Sequence, residues 1–134
     1  MKFPREARLT RPREFQRVFA QATVSSDRCF RVLARPNDGN TCRLGMAVSR
    51  RACRQAVGRA RLKRLIRESF RAYRAERFAT GGEAPWLDFV VLPSGRAASM
   101  CNRTLRASLD RHWPQARAKA ERAATAATES RKSD

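Results

Sequence analysis

Histidine occurs once in this chain of 134 residues, tyrosine once, and acidic side chains only twelve times. A protein that hydrolyses phosphodiesters with its own side chains needs clustered carboxylates or a histidine-based acid–base pair, with metals to activate water and stabilise the leaving oxygen. Here Asp27, Asp38, Asp88 and Asp110 are scattered, with Asp88 reading as a strand-edge polar residue. His112, beside Trp113 near a helix end, reads as a structural or solvent-facing imidazole. No catalytic side chain and no protein-bound metal are therefore expected. No run of about 18 apolar residues occurs, and the N-terminus lacks the charged-then-apolar order of a signal peptide, so a cytoplasmic protein without membrane association is expected. Cys29, Cys42, Cys53 and Cys101 lie far apart without a CxxC pair. That spacing signals neither a zinc knuckle nor a disulfide scaffold, and buried free thiols are the simpler expectation.

What the chain has in excess is positive charge: 30 Lys and Arg against 12 Asp and Glu, a net +18. Residues 117–134 carry only +2 of this, so the charge belongs to the body, residues 1–116, read as one folded domain followed by a basic, Ala-rich tail expected to fray. A body so charged repels itself, and its natural partner is a polyanion whose phosphates release counterions on binding. Nucleic acid is the leading partner class. The prevalence of arginine suits bidentate grips on phosphate and stacking on bases, though a GC-rich genome would bias composition the same way.

Periodicity supplies the elements. In "LTRPREFQRVFAQ", Thr10 stands as an N-cap and Pro12 in the first turn, with Phe15, Val18, Phe19 and Ala22 on one helical face. "RCFRVLARP" alternates, Phe30, Val32 and Ala34 opposing Arg31, Leu33 and Arg35. With the turn residues "NDGN" it reads as a hairpin whose return strand is "RLGMAVSRR". "LDFVVLP" is a continuous apolar run, best read as a central strand. A last helix, "SMCNRTLRASLDRHW", takes Ser99 as cap and presents Leu105, Leu109 and Trp113 to the core, with the chain beyond Pro114 having little to bury. The expected fold is an α/β (α+β) two-layer sandwich, one small mixed sheet with three helices in the order α-β-β-(β)-α-β-α.

Between the strands lies "QAVGRARLKRLIRESFRAYR", residues 55–74, in which seven of twenty side chains are basic and only Glu68 is acidic. At 100° per residue, Leu62, Leu65, Ile66, Ser69, Phe70 and Tyr73 form one core-facing arc. Arg59 and Lys63 border it, and Arg61, Arg64, Arg67 and Arg71 fill the other side. Glu68 is i+4 from Arg64 and three residues before Arg71, but the remaining cations have no acid within helical reach, and like charges one turn apart cost a few tenths of a kcal/mol each. An anion outside the helix would offset that. Arg50, Arg51 and Arg54 extend the patch upstream. A solvated basic face is the bland alternative, and Gly58 weakens the predicted helix start.

In this order and with these spacings, "FPREARLTRPREFQRVF", "RLGMAVSRR", "GRARLKRLIRESFR", "LDFVVLPSGRA" and "NRTLRASLDRHW" resemble the protein subunit of bacterial ribonuclease P over residues 3–113. The family's hallmark is Arg-Asn-Arg followed by Lys-Arg and Arg-Glu. Arg59, Arg61, Lys63, Arg64, Arg67 and Glu68 match it, while Ala60 stands in place of the asparagine, removing an amide and leaving the charge intact.

The resemblance implies a protein cofactor that joins a catalytic RNA as a monomer, the RNA supplying the active site and its Mg²⁺ ions for removal of the 5′ leader from precursor tRNA. It implies RNA docking through Arg50, Arg51, Arg54, Arg59, Arg61, Lys63, Arg64, Arg67 and Arg71, and a lowered Mg²⁺ requirement. It also implies a groove for the single-stranded leader, sketched by Phe15, Phe19, Arg31, Leu33 and Arg35, where planar groups could stack on unpaired bases. Phe15 and Phe19 suit core packing equally well. Leu33 stands where some relatives have tyrosine, and Ser94-Gly95 where some have a basic pair that Arg96 could replace. A basic ribosomal-type structural RNA-binding protein is the alternative from another class, and a stand-alone nuclease the third.

Overall fold

The computed structural model describes residues 8–9, 11–37, 39, 41–79 and 86–132, without the side chains of 78 and 126–132. Thr10, Asp38 and the loop "TGGEAP" lie outside the described residues. The elements are α1 (Pro12–Gln21), β1 (Thr23–Ser26), β2 (Phe30–Asn37), β3 (Arg43–Met46), α2 (Ala56–Ala79), β4 (Trp86–Pro93), a 3₁₀ turn (Ala97–Ser99) and α3 (Asn102–Lys132). The expected order is observed, with β1 as the additional strand.

The predicted hairpin is not formed. The sheet order is β1-β2-β4-β3, so β4 lies between β2 and β3, antiparallel to the first and parallel to the second. The hairpin that does form joins β1 to β2, pairing Val24 with Leu33 and Ser26 with Arg31. The apolar character of β4 on both faces explains its central place: Leu87, Phe89 and Val91 enter one cluster while Val90 enters the other, and all four are buried. A chain leaving β3 can pair alongside β4 in parallel only after a long crossover, and α2 supplies it.

On one face α2 and α3 cover the sheet. Leu62, Ile66 and Phe70 of α2 and Leu105, Leu109 and Trp113 of α3 are essentially buried against Phe30, Val32 and Phe89. Phe70, Phe89 and Trp113 meet edge-to-face with centroids 5.3–6.0 Å apart. Ser69 Oγ accepts from Trp113 Nε1 (2.8 Å) and donates to Asp110 (2.6 Å), which satisfies the one polar position of the α2 core face. On the other face α1 rests over Leu33 and Val90 through Val18 and Phe15, joined by Leu9 of the segment before it. The two-layer sandwich thus carries a partial third layer.

Two glycines make these approaches possible. A Cβ on Gly45 would lie 2.7–2.8 Å from ring carbons of Phe15, and one on Gly58 would lie 2.4 Å from Cys53 Sγ. Gly58 therefore marks close packing at the start of α2, not a weak helix. Ser99 does not cap α3; its hydroxyl donates to Arg96 O within the 3₁₀ turn, and Cys101 stands at the cap position, its sulfur 3.2 Å from Thr104 Oγ1. The bond to Thr104 is the main influence that lowers the Cys101 thiol pKa. Beyond Pro114 α3 continues to Lys132, and this stretch does bury surface: Ala116 and Ala120 lie in the main core. Small side chains allow α3 to lie close to the sheet there, a surface that the polar composition of the tail conceals. Cys29, Cys42 and Cys53 are buried free thiols and Cys101 is exposed.

Candidate nucleic-acid interface

The predicted core arc of α2 is the buried one, so its basic arc is the outward one. Arg64 and Arg71 are exposed, and Lys63 and Arg67 are half-buried along their stems. Ala60 is exposed among them. The Arg64–Glu68 pair is long, 4.0 Å between two largely exposed side chains, and contributes little. Arg50, Arg51 and Arg54 are exposed on the turn between β3 and α2. That turn is closed by Cys53 N donating to Ser49 O at 3.1 Å and Ala52 N to Ser49 Oγ at 3.2 Å.

Two members of the basic segment differ from the rest. Arg59 donates through Nη1 to Cys53 O (3.0 Å) and Arg54 O (2.8 Å). Arg61 donates to Ala98 O and Met100 O, both at 3.1 Å, and to Asn102 Oδ1. Sequence periodicity places both on the basic side but cannot reveal that carbonyls of neighbouring turns come within their reach.

The basic arc does not stand apart from α1. Lys63, Arg67 and Arg71 share a cleft of about 360 Å³ with Phe15, Leu44, Met46, Leu9 and Arg8. The segment before α1 reaches this edge by pairing with β3, Leu9 N donating to Leu44 O at 2.9 Å. Of the residues sketched as a leader groove, Phe19 is 52% exposed, Phe15 half-buried, Arg31 exposed and Arg35 intermediate. Leu33 is different: it is 7% exposed and belongs to the small cluster under α1, so it packs beneath the helix instead of presenting a surface as a groove residue would.

The position of α1 is fixed by an ion-pair relay that the sequence did not disclose. Arg43 reaches Asp88 through Nε–Oδ1 and Nη2–Oδ2 bonds of 2.8 Å each, and its Nη1 pairs with Glu14 of α1. Asp88 is 4% exposed on the central strand, not a strand-edge residue, and also accepts from Asn37 Nδ2 at 2.8 Å. Bonding to Asp88 is the main cause that raises the Arg43 pKa above its ordinary value. Glu14 also accepts from Arg11 N at 3.0 Å, so the residue that caps the first turn of α1 docks the helix on the sheet.

His112 is structural. It is 2% exposed, with Nδ1 2.8 Å from Ser25 Oγ and Nε2 3.2 Å from Asp27 Oδ2 without hydrogen-bond alignment. The residue types are those of a hydrolytic triad, but Ser25 is itself 2% exposed between sheet and α3, leaving no place for a substrate beside its oxygen. Asp27 organises the β1–β2 turn. Partial burial opposes its ionisation. The Ser108 hydroxyl (2.7 Å), the N–H groups of Phe30 (2.9 Å) and Cys29 (2.8 Å), and the His112 contact outweigh this and hold its carboxyl far below the ordinary 3.8. A carboxyl with a lowered folded pKa stabilises the fold above its unfolded pKa, and that contribution is lost as pH falls below it. Asp27→Asn is therefore expected to lower Tm at pH 6–7, with the gap from the wild type closing as pH falls from about 5 towards 2. Parallel Tm curves across that range would refute the assignment. Among the described residues, no group of three or more His, Cys, Asp or Glu is placed to hold a metal ion, and no helix is long and apolar enough to cross a membrane.

Comparison with known proteins bears on this geometry. The sequence model of the ribonuclease P family matches residues 3–117. The ribonuclease P protein component of Thioalkalivibrio sulfidiphilus is 44% identical over 111 residues, covering 83% of this chain and 87% of the relative. That of Halorhodospira halophila is 44% identical over 117 residues, covering 87% and 90%. Among solved structures, the RNase P protein of Staphylococcus aureus superposes with a TM-score of 0.67 at 26% identity, covering 78% of this chain and 90% of the other. The RNase P protein of Thermotoga maritima gives 0.61 at 29% identity, covering 78% and 96%. Agreement in sequence along nearly the whole body, and in the arrangement of three helices on a four-stranded mixed sheet, leads to one conclusion: the chain belongs to the ribonuclease P protein family.

Proposed function

We propose that this protein is the RNA-docking and leader-holding cofactor of a ribonuclease P that removes the 5′ leader from precursor tRNA in the cytoplasm. The observation that carries the reading is the cleft in which Lys63, Arg67 and Arg71 of α2 face Phe15 of α1. The exposed face of α2, with Arg50, Arg51 and Arg54, meets phosphates of the catalytic RNA. Phe19, the accessible edge of Phe15, Arg31 and Arg35 offer planar groups to an unpaired leader, on which stacking contributes about 1–3 kcal/mol per base with little sequence preference. The chemistry would be supplied by Mg²⁺ ions that the RNA, not this chain, would hold, for water activation and stabilisation of the leaving oxygen. The protein neutralises phosphate charge, so fewer of those ions are needed to hold the assembly together.

Reconstitution tests this. Added to a ribonuclease P RNA at a Mg²⁺ concentration where the RNA alone is inactive, the protein is expected to restore 5′ leader cleavage, and by itself to cleave nothing. Cleavage by the protein alone, or no effect on the RNA, would overturn the proposal; the second outcome is the one a ribosomal-type protein would give.

A further inference from the structure

Within the basic segment, Arg61 spends its guanidinium on the protein itself. Three acceptors surround it: Ala98 O and Met100 O of the turn that leads from β4 into α3, and Oδ1 of Asn102, the first residue of α3. The start of the turn is tied to the β1–β2 turn by Ser94 N donating to Cys29 O (2.9 Å) and Ser94 Oγ to Arg28 O (2.7 Å), and Cys29 Sγ lies 3.3 Å from Met100 Sδ, whereas the Ser99 and Met100 amides make only the local bonds to Arg96 O and Ala97 O, both at 3.1 Å. Arg61 adds the charged anchor that ties this second half of the turn to α2. A planar fork can span three carbonyl-type acceptors at once, which an ammonium at the end of a flexible stem does not reproduce. Turning Arg61 outward to a phosphate would strip these oxygens of their charged donor, a loss that the phosphate bond would first have to offset. On either side of the anchored turn stand Arg96 and Arg103, both exposed and without an ion pair among the described residues.

We propose that Arg61 is a positioning residue: it anchors the β4–α3 turn to α2, and so fixes Arg96 and Arg103 beside the basic face, instead of gripping RNA directly. This rests on the docking reading above and reassigns one of its cations. Arg59, bonded to the carbonyls of Cys53 and Arg54, stands in the same relation to the upstream turn.

The test combines hydrogen exchange of the free protein with the salt dependence of binding to ribonuclease P RNA, for Arg61→Ala, Arg61→Lys and the comparison variant Arg67→Ala. Both Arg61 variants are expected to exchange the Ser99 and Met100 amides several-fold faster. Both should bind roughly tenfold more weakly, and in a background already carrying Arg96→Ala and Arg103→Ala the Arg61→Ala change should leave the log–log slope unchanged, whereas Arg67→Ala should lower the slope by about one unit. Combining Arg61→Ala with Arg103→Ala should cost less than the sum of the two single losses, because a displaced Arg103 has less to lose. Arg61→Lys binding like the wild type, a full unit of slope lost when Arg61→Ala is added to the Arg96→Ala/Arg103→Ala background, additivity with Arg103→Ala, or unchanged exchange in the turn would each overturn the proposal. A wild-type protein that ignores the RNA would instead refute the docking reading, and exchange in the free protein would then decide alone whether Arg61 holds the turn.

Discussion

Replacing Lys63, Arg64, Arg67 and Arg71 together by alanine is expected to weaken binding to the catalytic RNA about a thousandfold and to lower the salt slope by three to four units. The affinity figure follows from roughly 1 kcal/mol per charged phosphate contact over four contacts, at 1.4 kcal/mol per tenfold. The same change should leave the fold intact. These four side chains project from the outward face, and the one ion pair they make, Arg64–Glu68, is long and exposed. Alanine is the best helix former, and removing mutually repelling charges one turn apart relieves a few tenths of a kcal/mol per pair. Tm of the variant should therefore equal or exceed that of the wild type while docking is lost. This opposite movement of stability and binding is the mark of a face kept for a partner. An unchanged salt slope would show that the ridge is merely solvated.

Much of this face was legible because a helix reports its own two sides. The arc of Leu62, Ile66 and Phe70 fixed which cations point outward, and the tertiary fold had only to confirm that this arc is the buried one. Strand order was not legible in the same way. "NDGN" between two alternating runs is a sound local hairpin signal, but β4 competes for the same edge of β2, and its apolar residues on both faces make it the better neighbour. Local turn chemistry lost to a pairing more than fifty residues away. β1 was hidden by its brevity, four residues of which only Val24 is a large apolar side chain. The burial of Ala116 and Ala120 was hidden by their size, since alanine fits a tight interface as readily as a solvated helix. The roles of Arg59, Arg61 and Asp88 were out of reach for a common reason: each is defined by a partner on another element, and charge type alone does not say whether that partner is a carbonyl of the protein or a phosphate outside it.

Asp88 yields the second large effect, on stability. Arg43→Met is expected to destabilise the protein by about 2–4 kcal/mol, because it leaves a carboxylate buried on the central strand with Asn37 as its remaining side-chain donor among the described residues. For a domain of this size that corresponds to a fall in Tm of roughly 10 °C. The cost comes from the abandoned charge more than from the lost attraction, so removing the charge as well should recover part of it: Arg43→Met with Asp88→Leu should be more stable than Arg43→Met alone. Thermal unfolding of the two single variants and the double gives the coupling directly, and a double variant as unstable as the sum of the singles would show that Arg43 and Asp88 do not act as a pair. Because Arg43 also holds Glu14, its loss removes the polar tether of α1 to the sheet, leaving the apolar contacts of Val18 and Phe15, and so loosens the placement of Phe15 and Phe19. Below its lowered Tm, Arg43→Met should thus bind single-stranded leader more weakly while its salt slope for the catalytic RNA is unchanged, since no cation of the α2 ridge has moved. Glu14→Gln keeps the buried Arg43–Asp88 bond and weakens the part-buried link to α1, so it should reproduce the leader defect with a smaller change in Tm than Arg43→Met, separating the placement of α1 from the stability of the sheet beneath it.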